Sequence, residues 1–198
     1  MYRNQRYLML ATPLDTYRND LIVRTKSGVD FILAATILWF VIAFLWTTPY
    51  SAYDRSVFTF IVGALLLPLA LLLSKILGTT WKLPDNPLQP LGLWLNFAQL
   101  LYFPFLVFLL LRAPEYFIMG YAIITGAHLF PYAWLYDEWG YAIAAGTIST
   151  GALGCVLLLP PASIYVIPLF TAGCLLLLAG WILSRQAGAT LRSPSRPS

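Results

Sequence analysis

Apolar runs of about membrane-crossing length recur six times along the chain, at about 29–48, 57–77, 91–111, 116–135, 139–159 and 163–183. A hydrocarbon core about 30 Å thick needs roughly 20 such residues per crossing, and only a helix satisfies its own peptide groups there. The pattern predicts an all-α, six-helix transmembrane bundle over 29–183, with polar segments at 1–28 and 184–198. Before the first run, Leu14, Tyr17, Leu21 and Ile22 fall on one helical face, opposite Arg18, Asn19 and Asp20. Thr12-Pro13-Leu14-Asp15 supplies an N-cap, a first-position proline and a first-turn acid. A short interfacial amphipathic helix is expected there.

The connections are short except for Gly78 to Pro90, whose three prolines stiffen it. Asn86-Pro87 in this loop is expected to cap and open the third run. Asp137 is expected to cap the fifth run, with Glu138 beside it, both favoured by the helix dipole. After Leu183 the chain becomes Ser-, Gly- and Pro-rich, which predicts disorder from about Ala187.

Composition agrees with a bilayer protein. Sixty per cent of the 198 residues are hydrophobic and 10% charged, against about a quarter charged in soluble domains. Mean hydropathy is +0.75. The net charge of +4 does not point to nucleic acid, because the cations flank the apolar runs. Arg3, Arg6, Arg18, Arg24, Lys26, Lys75, Lys82, Arg185, Arg192 and Arg196 fall on one side of the implied topology and only Arg55 and Arg112 on the other. Positive residues stay inside, so both termini are expected in the cytoplasm. No cleavable signal peptide is expected at the start. Cys155 and Cys174 lie in separate apolar runs and behave as small hydrophobes; with one histidine they make no zinc site.

Candidate chemistry centres on the only histidine. Tyr121, Thr125, His128 and Tyr132 are four, three and four residues apart, a polar stripe on one helical face. Pro131 withholds the N–H that would bond Ala127 and frees that carbonyl. Asn96 and Gln99 lie at comparable depth in the third run, and Ser74, Lys75, Asp30 and Thr36 at the same side of the first two. A polar group at membrane depth is costly and marks a functional candidate. One reading is a cytoplasm-facing cavity, lined by His128, Tyr132, Asn96, Gln99, Tyr121 and Thr125, that binds or moves a small solute. The bland alternatives are amides bonding between helices, a snorkelling Lys75 and an interfacial Asp30.

In the fifth run Ala142, Gly146, Thr150 and Gly154 recur every four residues, a small ridge that lets backbones approach. It supports a second reading, a non-catalytic assembly module or homodimer. An intramembrane enzyme with His128 as acid or base is the third. No phosphate-cradling glycine loop, serine elbow or HExxH is present, so no catalytic residue, metal or cofactor is assigned, and the lipid bilayer is the one partner the pattern demands. Pro104 and Pro168 do not extend into an internal repeat.

Asn86-Pro87-Leu88 before the third run and Gly126-Ala127-His128-x-x-Pro131-Tyr132-x-Trp134-x-Tyr136 at the end of the fourth resemble a family of small, uncharacterised bacterial membrane proteins. The resemblance covers about residues 20–185. It implies a six-helix bundle in the bacterial cytoplasmic membrane and brings no activity with it.

Overall fold

A computed structural model describes residues 13–192, with side chains as far as Gly188; Thr12 and residues 193–198 of the expected tail lie outside it. Among the described residues the regular structure is all helical: α1 Pro13–Thr25, α2 Val29–Leu45, α3 Ala52–Ala64, α4 Leu66–Leu77, α5 Gln89–Leu100, α6 Phe103–Arg112, α7 Phe117–Leu135, α8 Trp139–Leu158 and α9 Val166–Arg192. Five stretches, Pro13–Leu45, Ala52–Leu77, Gln89–Arg112, Trp139–Leu158 and Pro161–Gly188, are long and apolar enough to cross a membrane. A multi-pass membrane protein follows. α7, which carries Tyr121, Thr125, His128 and Tyr132, is not among the five.

Two of the runs are broken helices. Pro68 and Pro104 lie four residues after Ala64 and Leu100 and deny those carbonyls their helical donors. The chain tightens at each point, with Leu65 N bonded to Val62 O at 3.1 Å and Tyr102 N to Gln99 O at 3.1 Å. Pro131 sits inside α7 without ending it.

The core is built from α2, α7, α8 and α9, while α3 to α6 lie around it. Nine of the nineteen residues of α7 are buried and none of α5, so α7 is the centre of the bundle and α5 its rim. In hydrocarbon, helices associate through close packing and interhelical hydrogen bonds rather than apolar burial. Gly126 meets that need: a Cβ there would stand 2.6 Å from Ser149 Oγ and 3.0 Å from Ala145 O. Ala144, Ala145, Ile148 and Ala152 form the packed face of α8. The ridge of Ala142, Gly146, Thr150 and Gly154 is on another side; Gly146 and Thr150 are exposed, and a Cβ at Gly146 or Gly154 would meet nothing within 4 Å.

Several local expectations need correction. α1 is helical; of its apolar stripe Leu21 is buried while Leu14 and Tyr17 are each 41% exposed, and Arg18 from the opposite face lies over Trp134. The third run's helix opens at Gln89 with Pro90 in its first turn; ahead of it Asn86 Oδ1 accepts from Leu88 N, a capping-type bond just before the helix proper, while its amide donates to Tyr17 O of α1. Glu138, not Asp137, caps α8, accepting from Gly140 N; Asp137 takes a left-handed turn, φ 49°. α9 runs to Arg192, and before Ala187 it is tied back to the bundle: Gln186 Nε2 donates to Lys26 O at 2.7 Å and Arg185 pairs with Glu138 at 3.3 Å.

Candidate functional site

A cleft of about 90 Å³ lies between α7 and the break joining α5 to α6, lined by Leu95, Ala98, Gln99, Tyr102, Ala127, His128 and Pro131. That is room for about three waters, or one polar fragment of a larger molecule. The break at Leu101–Tyr102 brings Gln99 and Tyr102 to the same wall, and the kink-prone turn at Pro131 leaves the Ala127 carbonyl without an i+4 donor. Among the described residues, the side chains of Gln99, Tyr102 and His128 have no hydrogen-bond partner. His128 makes only an edge-on ring contact with Tyr132, centroids 5.3 Å apart. The cleft thus offers an amide, a phenol and an imidazole, each able to donate and accept.

The expected stripe divides along α7. Tyr132 adjoins the cleft but is buried, and its hydroxyl donates to Gly92 O at 3.3 Å, bridging α7 to α5 at the end towards the 78–90 loop. Tyr121 and Thr125 point into the core: Tyr121 packs against Trp39, Phe60 and Phe117, and Thr125 Oγ1 donates back to Tyr121 O at 2.9 Å. Asn96 is exposed outside the cleft lining, with its amide on Gly92 O at 3.1 Å. Of the polar residues at the loop end, Thr36 bonds Ile32 O and Ser74 bonds Leu71 O within their own helices, and Lys75 is exposed. Gln99 and His128 are the two expected residues brought together, and Tyr102 joins them unforeseen.

Sequence reasoning also missed a second polar region, a knot where α1, the 78–89 loop, the α7–α8 turn and α9 meet. Lys26, Ser27 and Gly28 are all left-handed, φ 49°, 51° and 68°, a conformation that costs about 1–2 kcal/mol at each residue with a side chain. Tertiary bonds hold them: Lys26 Nζ donates to Leu77 O at 2.6 Å and Tyr141 Oη to Ser27 O at 2.6 Å. A Cβ on Gly28 would lie 3.1 Å from Tyr136 Oη. Buried Asp30 accepts from Thr79 Oγ1 and Trp81 Nε1, both at 2.7 Å. Buried Glu138 accepts from Trp181 Nε1 at 2.7 Å. From the cleft into this knot Tyr132 stacks on Tyr136, and Tyr141 packs at a tilt against both. Lys26-Ser27-Gly28 was readable as a polar stop with glycine at its end; its partners were not.

Among the described residues no group of three His, Cys, Asp or Glu side chains comes together to hold a metal. Comparison with curated proteins and with solved structures returns no match. A family model does match, over residues 14–185, and its span takes in both Asn86-Pro87-Leu88 and the Gly126-to-Tyr136 motif. With residues 14–185 of the 198 inside that match, the chain belongs to a family of unknown function, DUF7010.

Proposed function

We propose that this chain is a six-span protein of the bacterial cytoplasmic membrane, both termini inside, that binds a small ligand in the cleft at His128. α7 serves as the sixth span because its polar residues are sheltered: its neighbours, rather than lipid, cover most of it. α1 lies at the inner interface, where the excess of Lys and Arg is found.

One observation carries the binding reading. Gln99, Tyr102 and His128 converge on one space with no partner among the described residues. Gln99 and His128 are half-buried and Tyr102 is 55% exposed; facing hydrocarbon, such groups are costly unless paired, and a ligand with matching donors and acceptors supplies what the protein does not. The Tyr132 bridge to Gly92 closes the cleft towards the loop, which favours holding a ligand over passing a solute to the cytoplasm. Mass spectra of the intact protein ejected from lipid nanodiscs test it. Wild type is expected to carry an added mass that His128→Leu/Gln99→Leu lacks; identical spectra for the two proteins defeat the reading.

A second reading, self-association, draws on the Gly146 ridge. Gly146 and Gly154 face open space although α8 packs closely on α7. Replacing both with leucine is expected to halve the mass of a dimer in micelles, and an unchanged mass rules that reading out.

A further inference from the structure

Among the described residues, Arg18 is a cation without an anion. Its guanidinium carbon lies 4.6 Å over the Trp134 ring, its Nε is shut off from solvent with no acceptor, and no hydrogen bond or ion pair to it exists among the described residues. Asp20, the nearest carboxylate in sequence, is engaged by Arg24 at 3.6 Å and by Asn86 Nδ2 at 2.9 Å. A guanidinium does not shed its proton, so its desolvated edge is costly unless an anion meets it. Contact with an indole face offsets only part of that cost.

The position of Arg18 says which anion. Trp134, Pro131 and Ala127 are three and four residues apart and share one face of α7, so the guanidinium sits at one end of a track whose other end is the His128 cleft. Six residues separate Trp134 from His128, about 9 Å of helix. Trp134 and Phe130 along this stretch are 50% and 63% exposed, open to the acyl region of a bilayer. A soluble anion has no use for such a track.

We infer that Arg18, braced by Trp134, holds the phosphate of an anionic phospholipid whose glycerol esters reach down past Pro131, where their carbonyls accept from Gln99, Tyr102 and His128. The ester contacts rest on the cleft reading; the phosphate contact does not. A guanidinium suits this role because its planar fork meets two phosphate oxygens at once.

The test is native mass spectrometry of the full chain in neutral detergent, with phosphatidylglycerol and phosphatidylcholine of matched chains at equal concentration and glycerol 3-phosphate as a soluble competitor. Wild type is expected to retain one phosphatidylglycerol molecule about tenfold over phosphatidylcholine, and Arg18→Gln to lose that preference. Arg18→Lys keeps the charge without the fork and is expected to fall between them, so the result does not depend on one variant folding. Thermal melting of lipid-free Arg18→Gln should stay close to wild type, since the variant loses only the contact with Trp134 and is relieved of the unpaired Nε. Undiminished preference in Arg18→Gln overturns the inference, as does displacement of the lipid by equimolar glycerol 3-phosphate, which would mark a site for soluble phosphate esters. If His128→Leu/Gln99→Leu leaves the Arg18-dependent preference intact, the cleft reading fails while the phosphate site stands. If that pair loses the lipid and Arg18→Gln does not, the reverse holds.

Discussion

The knot at the loop end and the cleft at His128 are both polar, a few turns apart on α7, and they are built in opposite ways. In the knot, Asp30 takes two donors, Glu138 takes an indole and a guanidinium, and even the left-handed Ser27 has its carbonyl bonded to Tyr141. In the cleft, Gln99, Tyr102 and His128 face a shared space with no hydrogen-bond partner among the described residues. Satisfied polar groups fix a structure, because removing one partner strands the other. Unsatisfied ones do nothing for the fold and wait on something from outside it. The difference sets the knot, which ties the fold together, apart from the cleft proposed to bind a ligand, and a set of substitutions ranks the two.

The largest effect is expected at Asp30. Asp30→Ala strands the Thr79 hydroxyl and the Trp81 indole N–H and leaves the loop untied from α2, at a cost of about 3 kcal/mol for two bonds to a charged acceptor. Unfolding in mixed micelles reads this directly; a loss below about 1 kcal/mol, the worth of a single ordinary bond, would mean that the knot is not what holds the loop. Gly126→Val comes next, at about 2 kcal/mol from overpacking α7 against Ser149 and Ala145. Wild-type melting for that variant would show that α7 and α8 have slack the close approach does not indicate.

Why the cleft was half legible and the knot invisible follows from what each depends on. Helix existence and depth come from local composition, so the runs, the place of His128 and its height relative to Gln99 could be read directly. Azimuth could not. Tyr121 and His128 share a face of α7, yet that face meets Trp39 and Phe60 at one end and the α5–α6 break at the other. Tyr102 was missed because its turn towards the cleft depends on the break before Pro104. The knot rests on pairings such as Tyr141 with Ser27 and Gln186 with Lys26, more than a hundred residues apart, and no local pattern encodes them. Glu138 over Asp137 as the α8 cap has the same origin, since Trp181 and Arg185 on α9 draw Glu138 inward.

Tyr141→Phe probes the knot with one atom. It deletes the donor to Ser27 O while keeping the ring against Tyr132 and Tyr136, so its cost should be about 1 kcal/mol, the worth of one bond with its acceptor left buried. The Lys26-Ser27-Gly28 turn is then less well held, and trypsin cleavage after Lys26 in the folded protein should quicken. Unchanged stability together with unchanged cleavage would mean that the left-handed turn is held by its other contacts alone.

The smallest effect separates the two regions most sharply. His128→Leu and Gln99→Leu remove groups that bond nothing in the described chain, and they replace them with side chains that hydrocarbon solvates well. Breaking an interhelical bond in a membrane bundle costs about 0.6 kcal/mol on average; here there is no such bond to break, so the pair should melt at or slightly above the wild-type temperature when free of lipid. The sign reverses once a ligand is present. Anything bound only by the folded state stabilises it in proportion to the logarithm of its concentration over its dissociation constant, about 2.7 kcal/mol at a hundredfold excess. Wild type should therefore gain stability on addition of phosphatidylglycerol, and the double variant should gain less. A variant that loses stability without lipid would place His128 and Gln99 in the same class as Asp30, and the distinction between the two regions would be gone.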